Sequence, residues 1–256
     1  MKYYSDLAEM RVFTLDEAIN IIGNKDNAIN YLSRMCKNGL INRIKKNLYS
    51  VIDLSTKTDI ANHYFIASHI NECAFISYHT AFEFYGFYNQ SYSEVQVSSP
   101  KRFTDFIYND LNYHYILSNI TKQIDIVQGV KVTSLERTIV DSINMLGKVM
   151  DVEELVKCLD FINYVDVNKL MEMLLEYDKD ILYRKVGYVL SYFKESLNLD
   201  NSFFDFCKKH SNVLNYGYLS YGEIKQLEFI SEWGLYAYKD LKSIIGKGGD
   251  IDVWLW

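Results

Sequence analysis

At 256 residues the chain has room for one large domain or two modest ones, and 49% apolar with 23% charged residues is the balance of a folded protein, not a disordered one. No run reaches the roughly 18 apolar residues of a membrane span, residues 1–6 lack the apolar stretch of a signal peptide, and Cys36, Cys73, Cys158 and Cys207 are too dispersed for a disulfide framework or a zinc site, so a reduced, cytoplasmic protein is expected. The net charge of −6 argues against a general nucleic-acid coat, yet residues 1–58 hold nine Lys/Arg against six Asp/Glu while the rest holds 18 against 27.

A short helix is predicted over residues 2–10. Thr14-Leu15-Asp16-Glu17 follows as a capping box, after which Leu15, Ala18, Ile19 and Ile22 recur at helical spacing until Gly23 stops the helix. A turn over residues 23–25 leads to Asp26, the expected N-cap of a second helix running to about Asn38, with Gly39 behind it. On this helix Ala28, Ile29, Leu32, Met35 and Cys36 gather on one side, and Asn27, Asn30, Arg34 and Lys37 form a stripe on the other. The stripe is made of residue types that meet base edges and phosphates: amides pair with adenine, Arg with guanine, and Lys holds the backbone.

Residues 40–44 and 48–51 read as two short strands, with Lys45-Lys46-Asn47 as the hairpin tip between them. Arg43, Lys45 and Lys46 give that tip a basic end suited to a phosphate or the minor groove. Two helices joined by a short glycine-containing turn and followed by such a hairpin make a winged helix-turn-helix. The same arrangement also serves protein contacts, and the basic stretch has a plain alternative as chance clustering on a solvated face. Residues 27–52 contain five bases and no acid, which favours double-stranded DNA.

Residues 59–70 read as a helix with Ile60, Tyr64 and Ala67 on one side, and residues 77–86 as a second one ending at Gly86. Strands are predicted at 93–98, 113–117, 124–127 and 130–132. Thr133-Ser134-Leu135-Glu136 reads as another capping box, opening a helix that turns Leu135, Ile139, Ile143 and Leu146 inward. Further helices are expected at 151–161, 166–177, 181–195 and 201–208, with a terminal strand pair beyond. The expected class is α+β, with a DNA-binding head over residues 1–58 and a body over 59–256, mixed α/β to about 133 and mainly helical from 134.

The order of these elements and several of their residues resemble the AbiEi family of antitoxins from type IV toxin–antitoxin, or abortive infection, systems. The carrying segments are residues 13–17 (FTLDE), 39–49 (GLINRIKKNLY) where family members have a similar G-x-L-x-R-x-x-x-G-x-Y wing, 77–81 (SYHTA) with Tyr85-Gly86, 130–141 (VKVTSLERTIVD) and 184–190 (RKVGYVL). Asn47 departs from the pattern, standing where a wing glycine is common, though Asn also tolerates the positive φ of such a turn. The resemblance implies a winged helix that represses its own operon at inverted repeats in the promoter. It also implies a C-terminal domain that antagonises a nucleotidyltransferase-like toxin without a stable complex, and a phage-defence role with no enzymatic activity, cofactor or membrane partner.

Other chemistry is less well supported by the residues. Arg137 and Asp141 stand four apart on one helix and read as a brace tying helix to sheet, with a ligand role as the alternative. Histidines 63, 69, 79, 114 and 210 are scattered without metal-ligand spacing. Asp250 and Asp252 form an apolar-Asp-apolar-Asp pattern that a metal-dependent nucleotidyltransferase could use, but the glycines abut Asp250, so a turn and an edge strand describe it better. Glu223 and Lys225 have the spacing of a nuclease core without its upstream Asp. No P-loop or nucleophile elbow occurs. The alternatives to an antitoxin are therefore an orphan winged-helix regulator and a DNA-tethered nuclease or nucleotidyltransferase.

Overall fold

The structure, a computed structural model, describes residues 3–220 and 227–245. The aspartates at 250 and 252, and Glu223 with Lys225, lie outside the described residues. The class is α+β. The chain divides into two compact units, Met1–Thr80 with Tyr92–Val132 and Ala81–Ser91 with Thr133–Trp256; the expected division after residue 58 falls inside the first.

In the first unit, α1 (Tyr4–Met10) is followed by β1 (Val12–Thr14) and α2 (Leu15–Ile22). The start of α2 is the capping box read from sequence: the Glu17 N–H donates to the Thr14 hydroxyl oxygen at 3.2 Å, and the Thr14 N–H donates back to Glu17 Oε2 at 2.6 Å. Gly23 ends the helix at φ +88°, a conformation open to glycine at no steric cost. The next helix, α3 (Lys25–Lys37), is capped by Asn24 and not by Asp26. Asn24 is extended and its Oδ1 accepts the Asn27 N–H, so the connecting turn is shorter than expected and Asp26 moves into the first turn, against the positive end of the helix.

Two strands, β2 (Ile41–Lys45) and β3 (Leu48–Val51), pair antiparallel, and β1 adds on the far side of β3 to give the order β1-β3-β2. The hairpin tip is only Lys46-Asn47, with Asn47 at φ +65°; Lys45 belongs to the strand. Leu7, Phe13, Ala18, Leu32, Met35, Leu40, Ile41 and Val51 form the core beneath, joined by Tyr31. Ile29, expected inward, is 44% exposed, because Tyr31 packs against that core.

The rest of this unit is a six-stranded sheet with short helices. Its strands are β4 (Phe75–Ile76), β5 (Glu94–Ser99), β6 (Phe106–Tyr108), β7 (Leu111–Leu117), β8 (Ile124–Val127) and β9 (Val130–Thr133), in the order β6-β7-β5-β4-β9-β8. β5 runs parallel to β7, with Val95 opposite Tyr113, and antiparallel to β4. The helix expected from residue 59 starts later, as α4 (His63–Ser68), capped by Asn62. Asp59 is held in a bridge to Ile52 and cannot open a helix. The helix α5 (Tyr78–Tyr85) begins in this unit, has most of its residues in the second, and ends at Gly86 as expected.

The second unit contains α6 (Leu135–Asn144), α7 (Val152–Asp160), α8 (Val167–Tyr177), α9 (Asp180–Ser191) and α10 (Asn201–Lys209). Asp151, Asp166 and Asp200 cap α7, α8 and α10. The second capping box read from sequence is not formed. Ser134, not Thr133, caps α6, and Glu136 accepts the Asp166 N–H at 2.8 Å instead of reaching back. After α10 come β10 (Gly217–Tyr218), β11 (Glu228–Ile230) and β12 (Leu235–Ala237), in the order β10-β12-β11, where a strand pair was expected later.

The segment from Arg184 to Leu190 receives this small sheet. Arg184 donates to the carbonyls of Gly234 (3.0 Å) and Asn215 and pairs with Asp180 (2.6 Å), and Tyr188 donates to the Tyr238 carbonyl. Gly187 lies flat against the Trp233 ring, where a Cβ would overlap two ring carbons.

Candidate nucleic-acid interface

The packing of α3 on the core leaves Asn27, Asn30, Arg34 and Lys37 all exposed, opposite buried Ala28, Leu32 and Met35. Arg34 lies over the Tyr31 ring at 6.0 Å, a contact that steadies the guanidinium without occupying its donors. In the hairpin, Arg43 and Lys46 are exposed.

Lys45 is different. The pairing of β2 with β3 shifts register between Arg43 and Lys45, a bulge that re-aims the side chains beyond it. The Lys45 ammonium consequently sits 4.7 Å from the Phe103 ring centroid and 4.6 Å from that of Phe106, and burial pushes its pKa below the ordinary lysine value. Lys45, grouped with Lys46 in the sequence reading, thus differs from Arg43 and Lys46 in lying half-buried over two aromatic rings of the same unit.

The base of the hairpin is held by a residue that the sequence reading passed over. The Asp59 carboxylate accepts Asn42 Nδ2 (3.1 Å), the Ser50 hydroxyl, the Tyr108 hydroxyl (2.7 Å) and Asn109 Nδ2 (2.8 Å). Asn42 and Ser50 lie on the hairpin, and Tyr108 and Asn109 at the β6–β7 turn, so one carboxylate ties hairpin to sheet. Burial, with the Asp59 charge adding to it, pushes the Tyr108 phenol up to about 12, which keeps it a donor at neutral pH. A cavity of about 230 Å³ opens beside Asp59, but Asn62 and Asn109 at its wall are engaged in helix capping and in the Asp59 cluster.

Within the second unit, Arg137 and Asp141 are both buried; Arg137 Nε lies 3.2 Å from Asp141 Oδ2, and the Tyr177 hydroxyl donates to Oδ1 at 2.6 Å. Burial pushes the Asp141 carboxyl upward, and the guanidinium and phenol pull it back. The pair joins α6 to α8 as a brace. Of the histidines, His69 stacks on Phe65, its Nδ1 2.7 Å from the Phe65 carbonyl oxygen, and His114 Nδ1 lies 2.6 Å from Asp105. Among the described residues, no group of three or more His, Cys, Asp or Glu is placed to hold a metal ion, and no helix is long and apolar enough to cross a membrane.

The Asp59–Tyr108 contact spans 49 residues of chain, and the Lys45 contacts to Phe103 and Phe106 span still more, so no local spacing in the sequence pointed to them.

No family model matches the chain, and no curated protein matches it. Among solved structures, the fold is similar to the crystal structure of the RV2827C protein from Mycobacterium tuberculosis, with a TM-score of 0.60 over 91% of this chain and 89% of that one at 14% identity.

Proposed function

We propose that the chain is an AbiEi-type antitoxin whose N-terminal winged helix-turn-helix binds double-stranded DNA and represses its own operon. The observation that carries the reading is the exposed, acid-free set on α3 and the hairpin: Asn27, Asn30, Arg34 and Lys37 on one helix face, with Arg43 and Lys46 beside them. In this reading α3 enters the major groove, its amides and Arg34 face base edges, and Lys37, Arg43 and Lys46 hold phosphates. The acidic remainder of the chain, which would repel duplex, is assigned to antagonism of a nucleotidyltransferase-like toxin, as the family resemblance implies. No catalytic step is assigned to it.

The test is binding to the promoter upstream of its own gene. Arg34→Ala is expected to cost about 1–3 kcal/mol and to relax the preference at one base position. A variant with Arg34, Arg43 and Lys46 all changed to Ala that binds the promoter as the wild type does would overturn the assignment. A nucleotidyltransferase gene next to this one, whose toxicity the protein suppresses, is expected; growth rescue in co-expression checks that part separately.

A further inference from the structure

Lys45 seats another loop against the hairpin. Phe103, whose ring takes the Lys45 ammonium, packs edge-on against Tyr115 at 5.1 Å, and Phe106 stacks flat on Tyr113 at 4.8 Å. The loop between β5 and β6 is also pinned at its start, where the Lys101 N–H donates to Ser99 Oγ (3.0 Å) and Asn71 donates to the Lys101 carbonyl (3.2 Å). The residue next to Phe103 is Arg102. It is exposed, and it has no hydrogen bond or ion pair to the described residues, whereas its neighbour Lys101 pairs with Glu72 at 3.2 Å.

We infer that Arg102 belongs to the duplex-contacting surface and supplies to a backbone phosphate beside the hairpin the positive charge that Lys45 gives to Phe103 and Phe106. The inference rests on the DNA-binding reading and carries its footprint past residue 58 onto the six-stranded sheet. A guanidinium stays charged at all relevant pH and matches a phosphate with two donors at once. The loop that carries it is anchored on both sides in the free protein, so little ordering is left to be lost on binding. Such a contact adds affinity for any sequence and no base preference.

The experiment titrates wild type, Arg102→Ala, Arg102→Lys and Lys45→Met with a labelled promoter duplex and a labelled random duplex over about 50–200 mM salt. The slope of log K against log salt should fall by about 0.9 in Arg102→Ala on both duplexes, stay in place in Arg102→Lys, and stay in place in Lys45→Met. An Arg102→Ala protein with the wild-type slope overturns the inference, and so does a Lys45→Met protein whose slope falls, since Lys45 would then be the phosphate contact. Unchanged thermal melting of Arg102→Ala shows that a lowered slope is not unfolding. If the wild type binds neither duplex, the DNA-binding reading itself fails; if it binds and Arg102→Ala matches it, only the inference does.

Discussion

Arg137 and Asp141 are four residues apart on α6, a spacing worth a few tenths of a kcal/mol on a helix surface. Burial changes the scale. With both side chains out of water and Tyr177 donating to the same carboxylate, removing the Asp141 carboxylate takes its anionic partner from a buried guanidinium. Asp141→Ala is expected to lower the unfolding free energy by about 3–5 kcal/mol in urea titrations, while Arg137→Met with Asp141→Leu together should recover most of it, as apolar replacement of buried pairs often does. Lys185 on α9 makes a second case. Burial, and then repulsion from Lys148, pushes its pKa down to about 8. The unfolded chain keeps an ordinary lysine, so between about pH 8 and 10 the unfolded state binds more protons and stability rises with pH; below pH 8 the cost is present in full. The stability of wild type relative to Lys185→Met should therefore rise as the pH climbs from 7 toward 10. A gap independent of pH in parallel denaturations would show that the Lys185 amine titrates normally. The Arg137–Asp141 pair was legible from its spacing, but the surroundings of Lys185 and Lys45 were not; Arg34 and Lys45 look alike in the sequence, yet exposure follows from helical period in the first, while a bulge and two distant phenylalanines decide the second.

Helix ends were the most readable elements because their chemistry is local. The Thr14–Glu17 box closes within four residues, and Thr14→Ala should cost about 1 kcal/mol, read from thermal or urea unfolding. The same pattern at residues 133–136 misled, since Glu136 is taken by the Asp166 N–H thirty positions away. Strands β4 and β6, of two and three residues, are too short to display an alternation, and exist because their neighbours in the sheet complete their hydrogen bonds. Gly187 shows the opposite side of element-level reasoning. In an exposed helix, Gly→Ala gains roughly 0.5–1 kcal/mol. Here the added methyl would meet the Trp233 ring, and the ring can move only by disturbing the small sheet that α9 supports. Overpacking of this kind costs about 1–3 kcal/mol, so Gly187→Ala should be net destabilising in urea unfolding, whereas Gly→Ala stabilisation would mean the ring yields freely.

At the scale of the molecule, the uneven charge is the feature that composition made plain, and the joining of the basic head to a sheet is the one it concealed. That joining rests on Asp59 and Lys45, whose partners on the sheet side lie dozens of residues downstream, where no periodicity reaches. It makes two kinds of residue separable by experiment. A phosphate contact sets how many counterions are released, and its loss lowers the salt slope. A positioning residue touches no phosphate, and its loss makes the hairpin order itself on binding, which lowers affinity at every salt concentration alike. Asp59→Ala removes the acceptor shared by Asn42, Ser50, Tyr108 and Asn109, and so frees the hairpin base while leaving Arg43 and Lys46 intact. It should speed amide exchange in β2 and β3 and, on the proposed DNA-binding reading, weaken duplex binding roughly tenfold, about 1.4 kcal/mol, with the wild-type slope. Arg43→Ala with Lys46→Ala should instead keep the exchange rates and reduce the slope by about 1.8. Should the Asp59 variant lose slope as well, the hairpin's phosphates are abandoned once it is released; should it lose neither slope nor affinity, the tie to the sheet is irrelevant to docking, and α3 alone holds the duplex.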